Sequence, residues 1–259
     1  MQKTIEPAIL YFGTPVVLIS TVNENGTFNV APMSSAFWLG WRCILGLGGA
    51  SKTTQNIRRT GECVLNLPSA AQAAAVDRLA LTTGSDPVPP RKLSRGYRYE
   101  PGKFEISGLT AAPSETVAAP RVLECPVQME ATLAAVHGVA DDDEFQRGGI
   151  VSLEVRVQRV HVDESILLAG QENHIDPDKW RPLIMSFQKF YGLGSQVHVS
   201  TLAQIPEHMY RGPDIDRARA IANRCPSDGF DAVQSATGAR AAGADPNICP
   251  CCFSGPGPQ

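Results

Sequence analysis

No apolar run in this 259-residue chain approaches the ~18 residues of a membrane-crossing helix, so no membrane partner is expected. An excess of one charge is also missing. Lys and Arg total 23 against 26 Asp and Glu, a net charge of -3, which excludes a global attraction to nucleic acid. The opening MQKTIEPAILYFGTP lacks the apolar stretch and small-residue cleavage site of a secretory leader. The seven cysteines are an odd number, and without a leader they point to a reducing, cytoplasmic setting rather than a disulfide framework. No His-Asp-Ser set occurs at an interpretable spacing. GLGG at 46–49 lacks both the GxGxxG spacing and the following acidic residue of a dinucleotide fingerprint.

What is present fits a globular protein: 43% hydrophobic and 19% charged residues, with length enough for one domain or two small ones. PVVLIST (15–21) reads as a strand, NENG (23–26) as a hairpin turn and TFNVAPM (27–33) as the return strand. SSAFWLGW (34–41) reads as a loop or irregular strand, RCILGLGG (42–49) and ECVLNLP (62–68) as strands, and 52–62 as a helix closed by Gly61. The alanine-rich 70–83 reads as helix and the proline-interrupted 84–92 as loop. Residues 102–110 read as extended, 119–139 as strand demoted in part by Pro126, and 149–167 as a long strand. Beyond Asp176 the pattern predicts an amphipathic helix over 176–194 and another over 216–225. Short strands with a few helices predict a small, mainly β barrel with helical insertions over 1–203 and a C-terminal extension over 204–259.

The segment SKTTQN (51–56) leaves a strand, turns through Gly48 and Gly49, and presents Ser51, Lys52 and Thr53 where a helix begins. Free backbone N–H groups there favour an anion, the hydroxyls add donors and Lys52 adds charge. The plain alternative is that Ser51 or Thr53 only caps the helix. Cys43, Cys63 and Cys125 lie in apolar stretches and read as buried free thiols. Cys225 and the CPCC of 249–252 have one pair too tight for a structural zinc site and no partner knuckle, so a loose tail is the simpler reading and no metal is expected. DDDE (141–144) reads as a solvated turn, His137 as a turn residue, and His161 and His174 as surface residues.

The order of TPVVLISTVNENGTFNVAPMSS (14–35), SKTTQNIRRTGECVLNLPS (51–69), GKFEISGLTAAP (102–113), APRVLECPVQMEA (119–131) and GGIVSLEVRVQRVHVDESIL (148–167) resembles the flavin reductase-like proteins. Their fold is an FMN-binding split β-barrel, and the likeness is closer to the flavoredoxin-like branch, over roughly residues 8–200. The resemblance implies FMN as cofactor, with Ser51, Lys52, Thr53 and Asn56 holding its phosphate or ribityl chain. It also implies that Asn29, Val30, Ala31, Pro32, Met33, Ser34, Ser35 and Ala36 pass over the ring, although Asn29 has a structural alternative as a loop brace. Phe37, Trp38 and Trp41 fit either the pocket or a core or dimer interface. His198 is the candidate catalytic residue. NADH or NADPH is implied as a transient electron donor, a flavin, small organic molecule or protein as acceptor, and a homodimer with FMN near its interface. A non-catalytic FMN electron carrier of flavoredoxin type is the alternative.

Overall fold

In the computed structural model of the chain, residues 1–224 are described, and they belong to a unit spanning Met1–Arg224. Its strands are β1 (Phe12–Pro15), β2 (Val17–Val22), β3 (Phe28–Met33), β4 (Ala36–Leu39), β5 (Arg42–Gly48), β6 (Glu62–Leu67), β7 (Thr82–Thr83) and β8 (Arg98–Tyr99). They continue as β9 (Ala111–Ala112), β10 (Arg121–Val122), β11 (Val127–Val139), β12 (Ile150–Val162), β13 (Leu183–Ser186) and β14 (Lys189–Gly192). The helices are α1 (Lys52–Thr60), α2 (Ala73–Arg78), α3 (Pro90–Leu93), α4 (Lys103–Ser107) and α5 (Pro213–Arg224).

Seven strands form one antiparallel sheet in the order β3-β2-β6-β11-β12-β5-β4. Its two edge strands are consecutive in the chain, with only Ser34 and Ser35 between Met33 and Ala36. Three peptide steps reach at most about 11 Å, so the sheet curls until its edges nearly meet. The Gly46 amide donates to the Ser35 carbonyl at 2.8 Å, at the corner where they do.

The inside of the curl is filled by Val17, Ile19, Leu45, Leu47, Ile57, Leu65, Leu153, Val155 and their neighbours. β2 is buried on its other face as well, where Val16 (just before the strand) and Leu18 meet Val30, Val76, Leu79, Val122 and Leu183. That is why 15–21 reads as an unbroken apolar run rather than an alternation. At about 1.5–3 kcal/mol for each fully buried Val or Leu, this outer layer is a major stabilising term. It is supplied by the excursion between β6 and β11 and by the β13–β14 hairpin. Burial pushes the Cys43 thiol up to about 12, and raises Cys63 and Cys125 as well, so none of the three is a thiolate at neutral pH.

The strands read at 15–21, 27–33, 42–49 and 62–68 are present with small shifts at their ends, as is the helix closed by Gly61 (φ 75°). Several expectations are corrected. Residues 36–39 form a regular strand paired with β5. The 70–83 segment is a one-turn 3-10 helix with a Ser69–Gln72 capping box, then α2, then β7. α3 arises inside the proline-rich 84–92 stretch because Pro90 takes the first helical position, where a missing N–H costs nothing. Residues 103–107 are helix, not strand, stopped by Gly108 in the left-handed region (φ 69°). The predicted 176–194 helix is instead the β13–β14 hairpin, and its turn places Phe187 (φ 44°) and Gln188 (φ 64°) in the left-handed region without glycine or asparagine. α5 begins three residues earlier than predicted, at Pro213. Cys225 and the CPCC tail lie outside the described residues.

Two histidines also move. His137 lies within β11, not in a turn. His161, on β12, is not a free surface residue: its Nε2 lies 2.7 Å from Glu130, whose side chain is fully buried. Glu130 also accepts from the Glu115 amide at 2.8 Å, and from the Thr116 amide at 2.6 Å and hydroxyl at 2.5 Å. Burial acts to raise the Glu130 pKa, but the bonds from His161, Thr116 and Glu115 outweigh it and hold the carboxyl at about 2.

Because that folded value lies below the ordinary 4.5, the stabilisation is complete above pH 4.5 and is lost as pH falls from there through about 2. Glu130→Gln should therefore destabilise the protein by about 3 kcal/mol at neutral pH, as a buried, multiply bonded charge does when removed. Urea melts at several pH values check this; a deficit unchanged between neutral and strongly acid pH would refute it.

Candidate functional site

α1 begins where β5 ends, and its first turn is organised by Ser51. The Ser51 amide donates to the Gly48 carbonyl at 3.0 Å, and its hydroxyl accepts from the Thr54 amide at 3.2 Å. The Thr54 hydroxyl donates to the Gly48 carbonyl at 2.9 Å, so Ser51 Oγ donates in its 2.8 Å contact with Thr54 Oγ1. The Ser51 side chain is thus the helix cap. The Gln55 amide reaches the Ser51 carbonyl at 3.0 Å. This leaves the Lys52 and Thr53 amides with no partner among the described residues, at the positive end of a nine-residue helix.

Those amides border a cleft of about 200 Å³. One wall is the end of β3, with Asn29, Ala31, Pro32 and Met33; the other is residues 79–84 with Lys92, Tyr97 and Lys103. The walls touch at Gly84, where a Cβ would stand 2.7 Å from Asn29 Oδ1 and 3.1 Å from Lys52 Cγ. Only glycine allows that approach. Beside it Leu81 adopts φ 54°, fixed by the Arg98 amide on the Leu81 carbonyl at 2.9 Å.

The residues singled out in the sequence separate into two groups. Asn29, Ala31, Pro32, Met33, Ser51, Lys52 and Thr53 all line the cleft. Asn29 is also a brace, its Nδ2 donating to Thr21 Oγ1 at 3.4 Å and Thr53 Oγ1 at 3.3 Å. Asn56 is fully buried away from it, donating to Thr21 Oγ1 at 3.0 Å and Asn23 Oδ1 at 2.9 Å, and so ties α1 to the β2–β3 hairpin. Ser34 and Ser35 sit at the sheet corner outside the cleft, and His198 is exposed and outside it too. Trp38 and Trp41 pack against the inner core, while Phe37 is exposed.

Sequence reasoning missed the far wall. Lys103 is 3% exposed; its carbonyl accepts from the Ser107 hydroxyl at 2.7 Å, and its side chain makes no hydrogen bond or ion pair among the described residues. Burial first, then the charge of Lys92, lowers its pKa to about 8, with Glu100 opposing. Burial also lowers Lys92, whose Nζ donates to Thr83 Oγ1 at 3.1 Å and lies 5.7 Å from the Tyr97 ring centre. Lys52 is partly engaged, 3.2 Å from Glu24. The signal that could have found Lys103 is the G-K-F-E-I-S-G pattern, a glycine-bounded single turn of helix.

Hydroxyl-bearing residues, the two residues with free amides and three lysines line the cleft, and no Asp or Glu does. The chemistry of these groups suits an anion of high charge density. No other polar cluster among the described residues combines these features, and no helix among them is long and apolar enough to cross a membrane.

Comparison with known proteins gives the fold a context. An uncharacterized protein of Bacillus subtilis, YdfE, is 40% identical over 195 residues, covering 75% of this chain and 91% of its own. The flavoredoxin of Desulfovibrio vulgaris (Miyazaki F) superposes with a TM-score of 0.62 at 24% identity, over 78% of this chain and 99% of that one. A putative flavin reductase with a split barrel domain from Shewanella frigidimarina gives a TM-score of 0.55 at 17% identity, over 73% and 86% of the two chains. The curled seven-stranded sheet is therefore a split barrel. The model of the flavin reductase like domain matches residues 9–194, well over half of the chain, and the protein belongs to that family.

Proposed function

We propose that this protein binds FMN and transfers hydride or electrons from NADH or NADPH to a flavin, a small organic molecule or a protein acceptor. The observation that carries this is the pair of unpartnered amides of Lys52 and Thr53, facing a cleft whose other wall brings Lys92 and Lys103. Their chemistry fits a phosphate monoester dianion. Bound flavin would supply the capacity to accept and pass on one or two electrons. The chain's own residues bind and orient: the Ser51 cap fixes the α1 amides, Asn29 holds β3 against Thr53, and Ala31, Pro32 and Met33 offer a small-featured backbone edge. Family membership and the split-barrel fold support the same reading.

The cleft encloses about 200 Å³, less than the roughly 300–1,000 Å³ usual for cofactor pockets. A second copy of the chain completing it is therefore part of the proposal. Exposed apolar residues are available for such an interface, among them Phe37, Leu39, Val197 and Val199. His198 stands between the last two, and in this reading it approaches the flavin only from a partner. The three buried, unpaired thiols agree with a cytoplasmic location. The alternative is a carrier that holds FMN but reacts slowly with NADH and NADPH.

Protein loaded with FMN and desalted should keep flavin absorbance and, by light scattering at micromolar concentration, be a dimer; colourless protein refutes the cofactor, and a monomer still holding FMN refutes the dimer. Anaerobic stopped-flow mixing with NADH and NADPH separates enzyme from carrier: fast bleaching with either supports turnover, and slow bleaching with both supports the carrier.

Thr53→Ala and Lys52→Ala should each weaken FMN binding by about ten-fold, since a hydrogen bond to a charged group contributes about 1.5–3 kcal/mol. Riboflavin, which has the ring but no phosphate, should bind almost unchanged. Equal losses for the two ligands, read by flavin fluorescence, would place the damage in the ring pocket instead.

A further inference from the structure

We propose that α5 is a lid over a second cavity, latched to the barrel by a single carboxylate, that of Asp214. The proposal goes beyond the FMN reading and does not depend on it.

The cavity measures about 1160 Å³ and shares no lining residue with the cleft beside α1. The last part of β12 and the segment after it form most of its wall. Trp41, Val160 and Ile175, which also pack against the inner core, give it apolar surface. α5 supplies a further side through Ile215, Ala218 and Arg219. The space is enough for a small organic molecule.

Core packing does not hold α5 there. Between residues 213 and 223 only Ala218 is buried, and it belongs to none of the apolar clusters. The chain leading to the helix does not hold it either. Every residue from Tyr191 to Arg211 is exposed. Among the described residues, the one ion pair this stretch makes with the barrel joins Glu207 to His174. A connection of that length without burial acts as a tether.

Charge is what fixes the helix. Arg42 of β5 and Arg156 of β12 are direct partners across the strand pair, so two like charges face the same way side by side. Glu154 answers Arg42 at 2.6 Å. Asp214 answers both from α5: it accepts from Arg42 Nε at 2.8 Å and lies 3.4 Å from Arg156 Nε. Arg217, one turn along α5, donates to it at 2.8 Å. Among the described residues, no other side chain of α5 is hydrogen-bonded to the barrel. The Arg42 hydrogen bond holds the Asp214 carboxyl below the usual carboxylate range, so the latch is charged at neutral pH. The Asp214 side chain is 18% exposed and each arginine 29%, so dissolved salt reaches the latch and weakens it.

Hydrogen exchange on the full chain, read by mass spectrometry, follows the lid directly. The α5 amides should exchange several-fold faster in about 1 M salt than in about 0.1 M, as the screening length falls from about 10 Å to about 3 Å. Asp214→Asn should speed α5 exchange about ten-fold or more and remove its salt dependence. Arg42→Gln breaks the same latch from the barrel side and should act alike. Asp216→Asn removes an equal charge from the first turn of α5, but its partner is Arg211 on the tether, so exchange should stay as in the wild type. Exchange in β5 and β12 should not change in any of these proteins. In a protein with Trp41 as its only tryptophan (Trp38→Phe, Trp180→Phe), acrylamide should quench Trp41 more efficiently once Asp214→Asn is added. Unchanged α5 exchange in both latch variants overturns the proposal. So does acceleration that spreads equally to β5 and β12, which would make the ion pairs a brace of the whole fold. Faster α5 exchange without a change in Trp41 quenching also overturns it, because the helix would then cover nothing. If a variant does not fold, the wild-type salt series decides: salt-independent α5 exchange refutes the latch.

Discussion

The burial of β2 on both faces is the constraint on which the rest of the architecture depends. Val17 and Ile19 close the inside of the curled sheet, and Leu18, with Val16 ahead of it, demands a second apolar layer outside. An antiparallel sheet can leave one face to water, but this strand cannot. The chain meets the demand with the long excursion between β6 and β11, whose Val76 and Leu79 press on Leu18. Once Leu79 is held there, residues 80–84 must run alongside the start of α1. The cleft is therefore a by-product of core packing: its far wall is the edge of the layer that covers β2.

Much of the barrel was legible because its strands carry their own punctuation. Asn25-Gly26 announces the first hairpin, Pro68 ends β6, and Gly61 closes α1 in the left-handed region. What escaped reading was structure whose signal is tertiary. The β13–β14 hairpin turns through Phe187 and Gln188, neither of which advertises a positive φ, and the apolar residues around it also satisfy a helical period. Alternation of Leu183 and Met185 against the outer layer decides the matter, and that layer is assembled from residues distant in sequence, from Val16 to Cys125.

The site divides along the same line. Its near wall, Ser51-Lys52-Thr53 and Ala31-Pro32-Met33, consists of two short segments that the sequence already offered as candidates, and both line the cleft. The two readings offered for Ser51 turn out to be compatible: by capping the helix it leaves its neighbours' amides free. Asn56 donates through Nδ2 to Thr21 and Asn23, a tie between α1 and the first hairpin that no spacing could reveal. Lys92 and Lys103 were invisible because their meaning depends on being buried, and they lie in stretches that read as loop and strand.

Gly84 gives the cleft a mechanical property. Because the two walls meet at a residue with no side chain, the backbone at 84 comes close against Asn29 and Lys52, both of which line the cleft. A single added methyl there would press on the Asn29 and Lys52 side chains from the opposite wall. Position 84 is thus a handle on the dimensions of the site that acts through Asn29 and Lys52 and adds no polar group of its own.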